Sequence, residues 1–145
     1  MFHWLLRTIP RPVLIKFSLW FSKVAPLVFY GNKHEDPISG KTYRKFLPYG
    51  YSGRAKRKNV LCPGSLSLER HRLLWLYLKN KTNFFTGNHK MLHIAPEQCF
   101  YKLFKAMKNI DYTTADLNSP IADVKMDLHK APFKDNTFDV IFCNH

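Results

Sequence analysis

Cysteine, acidic residues and glycine are all scarce in parts of this 145-residue sequence, and each shortage excludes a class of protein. The three cysteines, Cys62, Cys99 and Cys143, form no Cys-x-x-Cys pair. We therefore expect neither a disulfide framework nor a metal site, and a reducing cytoplasm fits this cysteine usage. With 46% hydrophobic and 23% charged residues, the composition is typical of a folded globular domain.

Acidic residues are nearly missing from the first half of the chain. Residues 1–82 hold sixteen Lys and Arg against three acids, whereas residues 83–145 hold seven of each, so the formal net charge of +13 belongs to the first half. Such an excess indicates contact with an anionic partner, such as phosphate head groups or RNA. A basic face that only meets solvent is the alternative.

An uninterrupted apolar run is also missing from the N-terminal segment, residues 1–30. Four basic residues interrupt it and no Ala-x-Ala site follows, so neither a signal peptide nor a membrane-spanning helix is expected. We predict an amphipathic helix that lies in a membrane interface or, equally, packs on its own domain or a partner subunit. Its polar edge would hold Arg11, Lys16, Ser22 and Lys23, and its apolar face Leu14, Phe17, Trp20, Phe21 and Val24.

The middle segment, residues 31–82, is rich in glycine, proline and basic residues, which predicts small strands joined by turns. The stretch CPGSLSLERHRLLWLYLKN then predicts a helix, with Ser65 or Ser67 capping its start and Lys81 near its end. The cluster at residues 70–72, Arg-His-Arg, would contact either substrate or solvent.

The last segment, residues 83–145, alternates strand and helix patterns. KMLHIA predicts a buried strand, EQCFYKLFKAMKN a helix and IDYTTADL a second strand, which together form a parallel βαβ unit. IADVKMDL and FDVIFCNH add a third and a fourth strand. We therefore predict an α/β fold with a Rossmann-like parallel sheet of about four strands. His93 and Cys99 are expected in its core, and the helix is expected to direct Phe100, Leu103, Phe104 and Met107 to one face.

The residues at the carboxyl ends of these strands are the candidate site, because ligands of open parallel sheets bind there. Two aspartates at successive strand ends suit a nucleoside, since one carboxylate can accept hydrogen bonds from ribose hydroxyls and the other from an adenine amine. Solvent-exposed aspartates capping their strands are the alternative. The candidate residues are Ala95, Pro96 and Glu97, then Asp116 and Leu117, then Asp127 and Leu128, and finally Asn144 and His145.

Glycine is missing from the first of these loops, Ala95-Pro96-Glu97. In dinucleotide sites, glycines let the backbone approach a pyrophosphate, and an acidic side chain in their place would repel it. NAD and FAD are therefore disfavoured. S-adenosylmethionine has an amino-acid tail and a cationic sulfur, so it does not need that glycine loop and tolerates a nearby carboxylate.

The stretches NVLCPGSLSLERHRLLWLYLK, MLHIAPE, DYTTADLNSPIADVKMDL and APFKDNTFDVIFCNH resemble class I S-adenosylmethionine-dependent methyltransferases, specifically a methyltransferase type 11-like branch common in Bacteroidetes. The resemblance implies that the cofactor's methionine part lies against Ala95, Pro96 and Glu97. It further implies that Asp116 holds the ribose, that Asp127 and Leu128 border the adenine, and that Asn144 and His145 face the methyl group and its acceptor.

The resemblance also sets expectations about the rest of the protein. The family's sheet has seven strands, so we expect a fragment that does not transfer methyl groups alone. The acceptor would be a small or lipid-linked molecule, in the cytoplasm or at the inner membrane face. Where relatives carry Cys-Pro-x-Cys pairs, residues 36–40 and 62–65 predict a metal-free remnant of a zinc ribbon. The competing hypothesis is a non-catalytic basic module that binds membrane or RNA.

Overall fold

The computed structural model describes residues 11–50 and 56–144. The chain divides into two compact units, Met1–Leu76 and Tyr77–His145, and the division falls inside one helix, Glu69–Lys81. Of the four basic residues that interrupt the N-terminal segment, Arg7 lies outside the described residues.

The first unit consists of a helix, α1, and two antiparallel hairpins. Strand β1 pairs with β2 and strand β3 with β4, and the second helix, α2, begins after β4. The bounds are α1 Arg11–Val28, β1 Tyr30–Asp36, β2 Lys41–Tyr43, β3 Leu47–Tyr49, β4 Arg57–Leu61 and α2 Glu69–Lys81.

Arg72 and His71 at the start of α2 are used inside the fold. The Arg72 guanidinium lies 4.6 Å from the ring centroid of Phe46 and donates to the backbone oxygens of Val60 (3.0 Å) and Ser67 (2.9 Å). His71 is buried, and its Nδ1 accepts a hydrogen bond of 3.0 Å from the backbone N–H of Leu68, so it caps the helix. The roles of His71 and Arg72 therefore match neither interpretation from the sequence, whereas Arg70 is exposed, as the solvent interpretation expects.

A buried carboxylate connects the first hairpin to the segment that follows the second. Asp36 is fully buried, and its oxygens accept from the hydroxyl of Ser39 (2.7 Å) and, more weakly, from that of Ser67 (3.3 Å). These bonds join the β1–β2 turn to the segment before α2, and they offset the cost of burying the carboxylate. Within residues 11–50 and 56–144, no group of three or more His, Cys, Asp or Glu side chains is placed to hold a metal ion.

Gly64 is required by the close approach of Tyr43, whose ring belongs to the buried cluster of this unit with Phe46 and Cys62. A Cβ atom added at Gly64 would overlap the Tyr43 hydroxyl oxygen. The neighbouring Pro26 Cγ would lie 3.5 Å away, so it adds no conflict.

We predict that Gly64→Ala lowers the free energy of unfolding by about 1–3 kcal/mol, because a well-packed core does not accommodate the methyl group. Removing the overlapped oxygen with Tyr43→Phe should recover part of this loss in the double variant, as measured by urea unfolding, because the ring Cζ would still lie 3.1 Å from the added Cβ. If Gly64→Ala costs as much in the Tyr43→Phe background as in the wild type, the overlap is not the cause.

The second unit is an α/β unit built on a four-stranded parallel sheet, which confirms the predicted fold class. The sheet order is β7-β6-β5-β8, with all three neighbouring pairs parallel, and this order is consistent with a Rossmann-like arrangement. The elements are β5 His89–Ile94, α3 Gln98–Lys105, β6 Ile110–Asp116, β7 Val124–Lys125, a 3-10 turn Leu128–Lys130 and β8 Val140–Cys143.

Side chains alternate between the two faces of this sheet. On one face Met91 and His93 are buried, and the ring of Phe104 from α3 lies 6.2 Å from that of His93. On the other face Leu92 and Ala115 form a buried cluster. The predicted helix face is wrong at Leu103, which is exposed, and right at Phe100 and Phe104, which are buried. The predicted burial of Cys99 is confirmed.

Asp123 fastens the loop before β7 to the middle of β6. Its Oδ2 accepts from the Thr114 hydroxyl (2.7 Å) and from the Thr114 backbone N–H (3.1 Å). The hydrogen bond from the Thr114 side chain lowers the pKa of Asp123 below its usual value. The folded state therefore binds the proton more weakly than the unfolded chain does.

We predict that the stability contributed by Asp123 is present at neutral pH and is lost as the pH falls below about 4, toward the lowered pKa of the folded state. Urea unfolding of the wild type and Asp123→Asn across this range should show a stability difference that shrinks on acidification. The exposed Asp135→Asn is the control and should show little difference at any pH. A difference for Asp123→Asn that is constant with pH would contradict this account.

Candidate functional site

The candidate site residues lie at one edge of the sheet, because all four strands run in the same direction. Ala95, Pro96 and Glu97 follow β5; Asp116 ends β6 and Leu117 comes next; Asp127 and Leu128 begin the 3-10 turn beyond β7; and Asn144 follows β8. His145 lies outside the described residues.

The strand order changes direction at β5. The chain leaves β5 toward β6 and then β7 on one side, whereas β8 pairs with the opposite side of β5. Ile94 and Cys143 are register partners, so the next residues, Ala95 and Asn144, begin the two sides of the crevice at this edge. In open α/β sheets such a crevice is the usual place for a ligand.

Ala95 gives the glycine-free loop its bend. It has a φ of 51°, in the left-handed region that non-glycine residues rarely enter. Its backbone N–H still donates to Ala115 O (2.9 Å), so the sheet bonding continues up to the bend. The loop therefore keeps the backbone path that glycine usually supplies, with a methyl group at the bend.

Glu97 is fixed by a side chain from inside the sheet. It occupies the N-cap position of α3 without a side-chain capping bond, and its Oε2 lies 2.6 Å from Nε2 of His93. His93 is fully buried, and its second ring nitrogen, Nδ1, lies 2.8 Å from the Tyr112 hydroxyl. Tyr112, His93 and Glu97 thus form a chain of contacts from β6 to the tip of β5.

The chemistry of Tyr112, His93 and Glu97 determines which atom donates each of their two hydrogen bonds. Burial raises the pKa of the Tyr112 hydroxyl far above its usual value, so the hydroxyl keeps its proton at neutral pH. An ionised Glu97 carboxylate can only accept a hydrogen bond. In the neutral form of His93 the ring proton therefore lies on Nε2 and is donated to Glu97, while Nδ1 accepts from Tyr112.

We predict that Tyr112→Phe lowers the free energy of unfolding by about 1–3 kcal/mol, because it leaves the buried Nδ1 of His93 without its donor. Tyr101→Phe is the matched control, since the Tyr101 hydroxyl contacts the exposed Lys105 (3.0 Å), and it should cost much less. Nitrogen NMR of neutral His93 should report the Nε2–H tautomer in the wild type. The Nδ1–H tautomer would overturn the assignment.

Asp116 combines a structural bond with an open carboxylate oxygen. Its Oδ1 accepts from the backbone N–H groups of Asn118 (2.7 Å) and Ser119 (2.6 Å), which forms a tight turn after β6. In the described part of the chain no donor contacts Oδ2. The carboxylate borders an open cavity whose lining also includes Leu117, Ala122 and Lys125.

Asp127 has a different environment from Asp116. Its side chain is exposed, and Oδ1 accepts from the backbone N–H of His129 (3.0 Å) at the start of the 3-10 turn. Neither Asp127 nor the exposed Leu128 is among the described residues that line the cavity beside Asp116. Of the candidate residues that the structure describes, only the neighbours Asp116 and Leu117 line this cavity. The candidates after β5, β7 and β8 lie at the same edge of the sheet but are not in its lining: Ala95, Pro96, Glu97, Asp127, Leu128 and Asn144.

The sequence interpretation missed the part played by Tyr112 and did not connect His93 with Glu97. One signal was available: a histidine inside an otherwise apolar strand stands four residues before a glutamate in the loop. The burial of His93 itself was predicted, and it is confirmed.

Comparison with protein-family models, curated proteins and solved structures finds no match to this chain.

Proposed function

We propose that the second unit is the cofactor-binding half of an S-adenosylmethionine-dependent methyltransferase. The observation that carries this proposal is Asp116 at the end of β6: it lines a cavity, and within the described residues no donor contacts its second carboxylate oxygen. A carboxylate in this position suits the two neighbouring hydroxyls of a ribose, which need acceptors on one side chain.

The loop after β5 would receive the amino-acid end of the cofactor. The left-handed Ala95 lets the backbone turn close to a ligand, and Glu97, fixed by His93, offers a carboxylate for an ammonium group. The same carboxylate would repel a pyrophosphate, so this arrangement disfavours NAD and FAD. Asp127 and Leu128 would border the adenine from the next strand end.

The cofactor supplies a methyl group activated on a sulfonium, and the chain's own residues bind and orient it. Methyl transfer depends mainly on holding two reactants in line and excluding water. Asn144 would lie on the acceptor side of the crevice. We propose a small or lipid-linked acceptor and assign no catalytic residue.

We also propose that the two hairpins of the first unit are a metal-free counterpart of a zinc ribbon. Support comes from the four positions in question, Asp36, Ser39, Cys62 and Ser65. A carboxylate–hydroxyl bond joins the first two (2.7 Å), and burial raises the pKa of the Cys62 thiol, which favours its protonated form over a metal-binding thiolate. Hydrogen bonds take the place of the metal in this proposal.

Isothermal titration with S-adenosylhomocysteine tests the cofactor proposal. Asp116→Asn keeps an oxygen for the turn but replaces the free acceptor with an amide donor. We expect affinity to fall roughly tenfold to a hundredfold, the range for a lost charge-assisted hydrogen bond. Asp111→Asn is the matched control, because Asp111 is exposed at the opposite end of the same strand, and it should bind like the wild type.

Two results would contradict the proposal. One is a wild-type chain that is folded by circular dichroism and shows no heat of binding. The other is an equal affinity loss in Asp116→Asn and Asp111→Asn, since a general charge effect does not require a site at the tip of β6.

A further inference from the structure

Helix α1 exposes a continuous apolar stripe. Phe17 and Trp20 are 62% and 60% exposed, and Leu27 is 81% exposed. Five side chains form the stripe: Val13, Phe17, Trp20, Val24 and Leu27. Their spacing of four, three, four and three residues places them on one side of the helix.

The geometry of the stripe is regular. At 3.6 residues per turn its five members fall within an arc of about 80°, and from Val13 to Leu27 it extends for about 21 Å. The other side of α1 meets its own unit, where Ala25 is buried and the ring of Phe21 lies 6.4 Å from that of Phe29. Packing on the protein therefore explains one side of α1 and leaves the stripe without a function.

Positive charge lies along one side of the stripe. Lys16 and Lys23 are exposed beside it, and the eighteen residues of α1 include no acid. At the C-terminal end, Leu27 lines a shallow groove together with Tyr30 and Lys41. A surface that meets this stripe must therefore be apolar along its middle and anionic along the border that holds the lysines.

We propose that α1 binds in the plane of an anionic lipid bilayer, with the stripe among the acyl chains and the lysines at the head groups. Tryptophan and tyrosine are favoured at that depth, and long lysine side chains reach the head groups from a partly buried helix. No helix in the described part of the chain is long and apolar enough to cross a membrane. This inference does not depend on the proposed cofactor.

Two other occupants fit the stripe less well. A second copy packed stripe to stripe would bring Lys16 and Lys23 of both helices together, and α1 has no acidic side chain to pair with them. RNA would use the lysines and could stack on Phe17 or Trp20, but it has no apolar surface for Val13, Val24 and Leu27.

Flotation of the full chain with phosphatidylcholine vesicles, with and without phosphatidylglycerol, tests the proposal. We expect binding to the anionic vesicles, and a fall in partitioning of roughly tenfold or more in the double variant Phe17→Ser, Trp20→Ser. Leu73→Ser is the matched control, because Leu73 is equally exposed on α2, and its partitioning should stay unchanged.

The double variant Lys16→Gln, Lys23→Gln tests the role of charge. We expect its partitioning to fall roughly tenfold on anionic vesicles and to stay unchanged on neutral ones. Lys56→Gln with Lys58→Gln is the control, since these exposed lysines lie outside α1. Circular dichroism verifies that each variant folds. Brominated lipid gives a direct measurement that does not depend on the double variant. In a Trp4→Phe chain it should quench tryptophan emission, and the further substitution Trp20→Phe should largely abolish this quenching.

Several results would overturn the proposal. These are equal binding to neutral and anionic vesicles, partitioning that is unchanged by the Phe17 and Trp20 substitutions, and an absence of quenching at Trp20. A dimer in sedimentation that these substitutions dissolve would assign the stripe to a second copy. Salt-sensitive RNA binding without vesicle binding would assign the positive charge to nucleic acid.

Discussion

Parallel pairing of β5 with a neighbour on each side is the constraint from which the second unit follows. The register aligns His93 with Thr114 on β6 and with Phe142 on β8. A slip of one residue would turn His93 to the opposite face and separate it from Glu97 and Tyr112. The same pairing brings the ends of four strands to one edge, so the fold and the candidate site depend on one set of backbone hydrogen bonds.

This constraint places two polar side chains of the strands, His93 and Thr114, in the interior, and both have a partner there. His93 and Thr114 are both fully buried, and they bond to Tyr112 and Asp123 respectively. A buried polar group without a partner costs about 1–3 kcal/mol, a large part of the net stability of a small domain. The partners on the face covered by α3 therefore stabilise the sheet and also fix the loops at its tip.

Local patterns in the sequence predicted the strands, the helix between them and the strand ends, because alternation and helical periodicity are properties of neighbouring residues. They did not predict the length of β7, which spans two residues, whereas the pattern IADVKMDL suggested a longer strand. Just before β7, a hydrogen bond from the Thr114 hydroxyl to the Asp123 carboxylate stands where strand pairing was expected. Contacts such as Ser67 with Asp36, 31 residues apart, depend on the tertiary fold and have no local signal.

The cofactor proposal and the bilayer proposal differ in how much they require of the structure, so local sequence patterns predict the second more completely. A bilayer accepts any helix with enough apolar area and the right sign of charge, so the i, i+3, i+4 spacing of α1 and its lysines is nearly sufficient. A nucleoside requires acceptors at fixed positions, and the two aspartates show the difference. At the sequence level Asp116 and Asp127 are equivalent strand-end residues. The tertiary structure distinguishes them: Asp116 borders a cavity, whereas Asp127 caps a turn that is exposed to solvent. Evidence for ligand recognition therefore rests on Asp116, and the pairing of the two residues adds little to it.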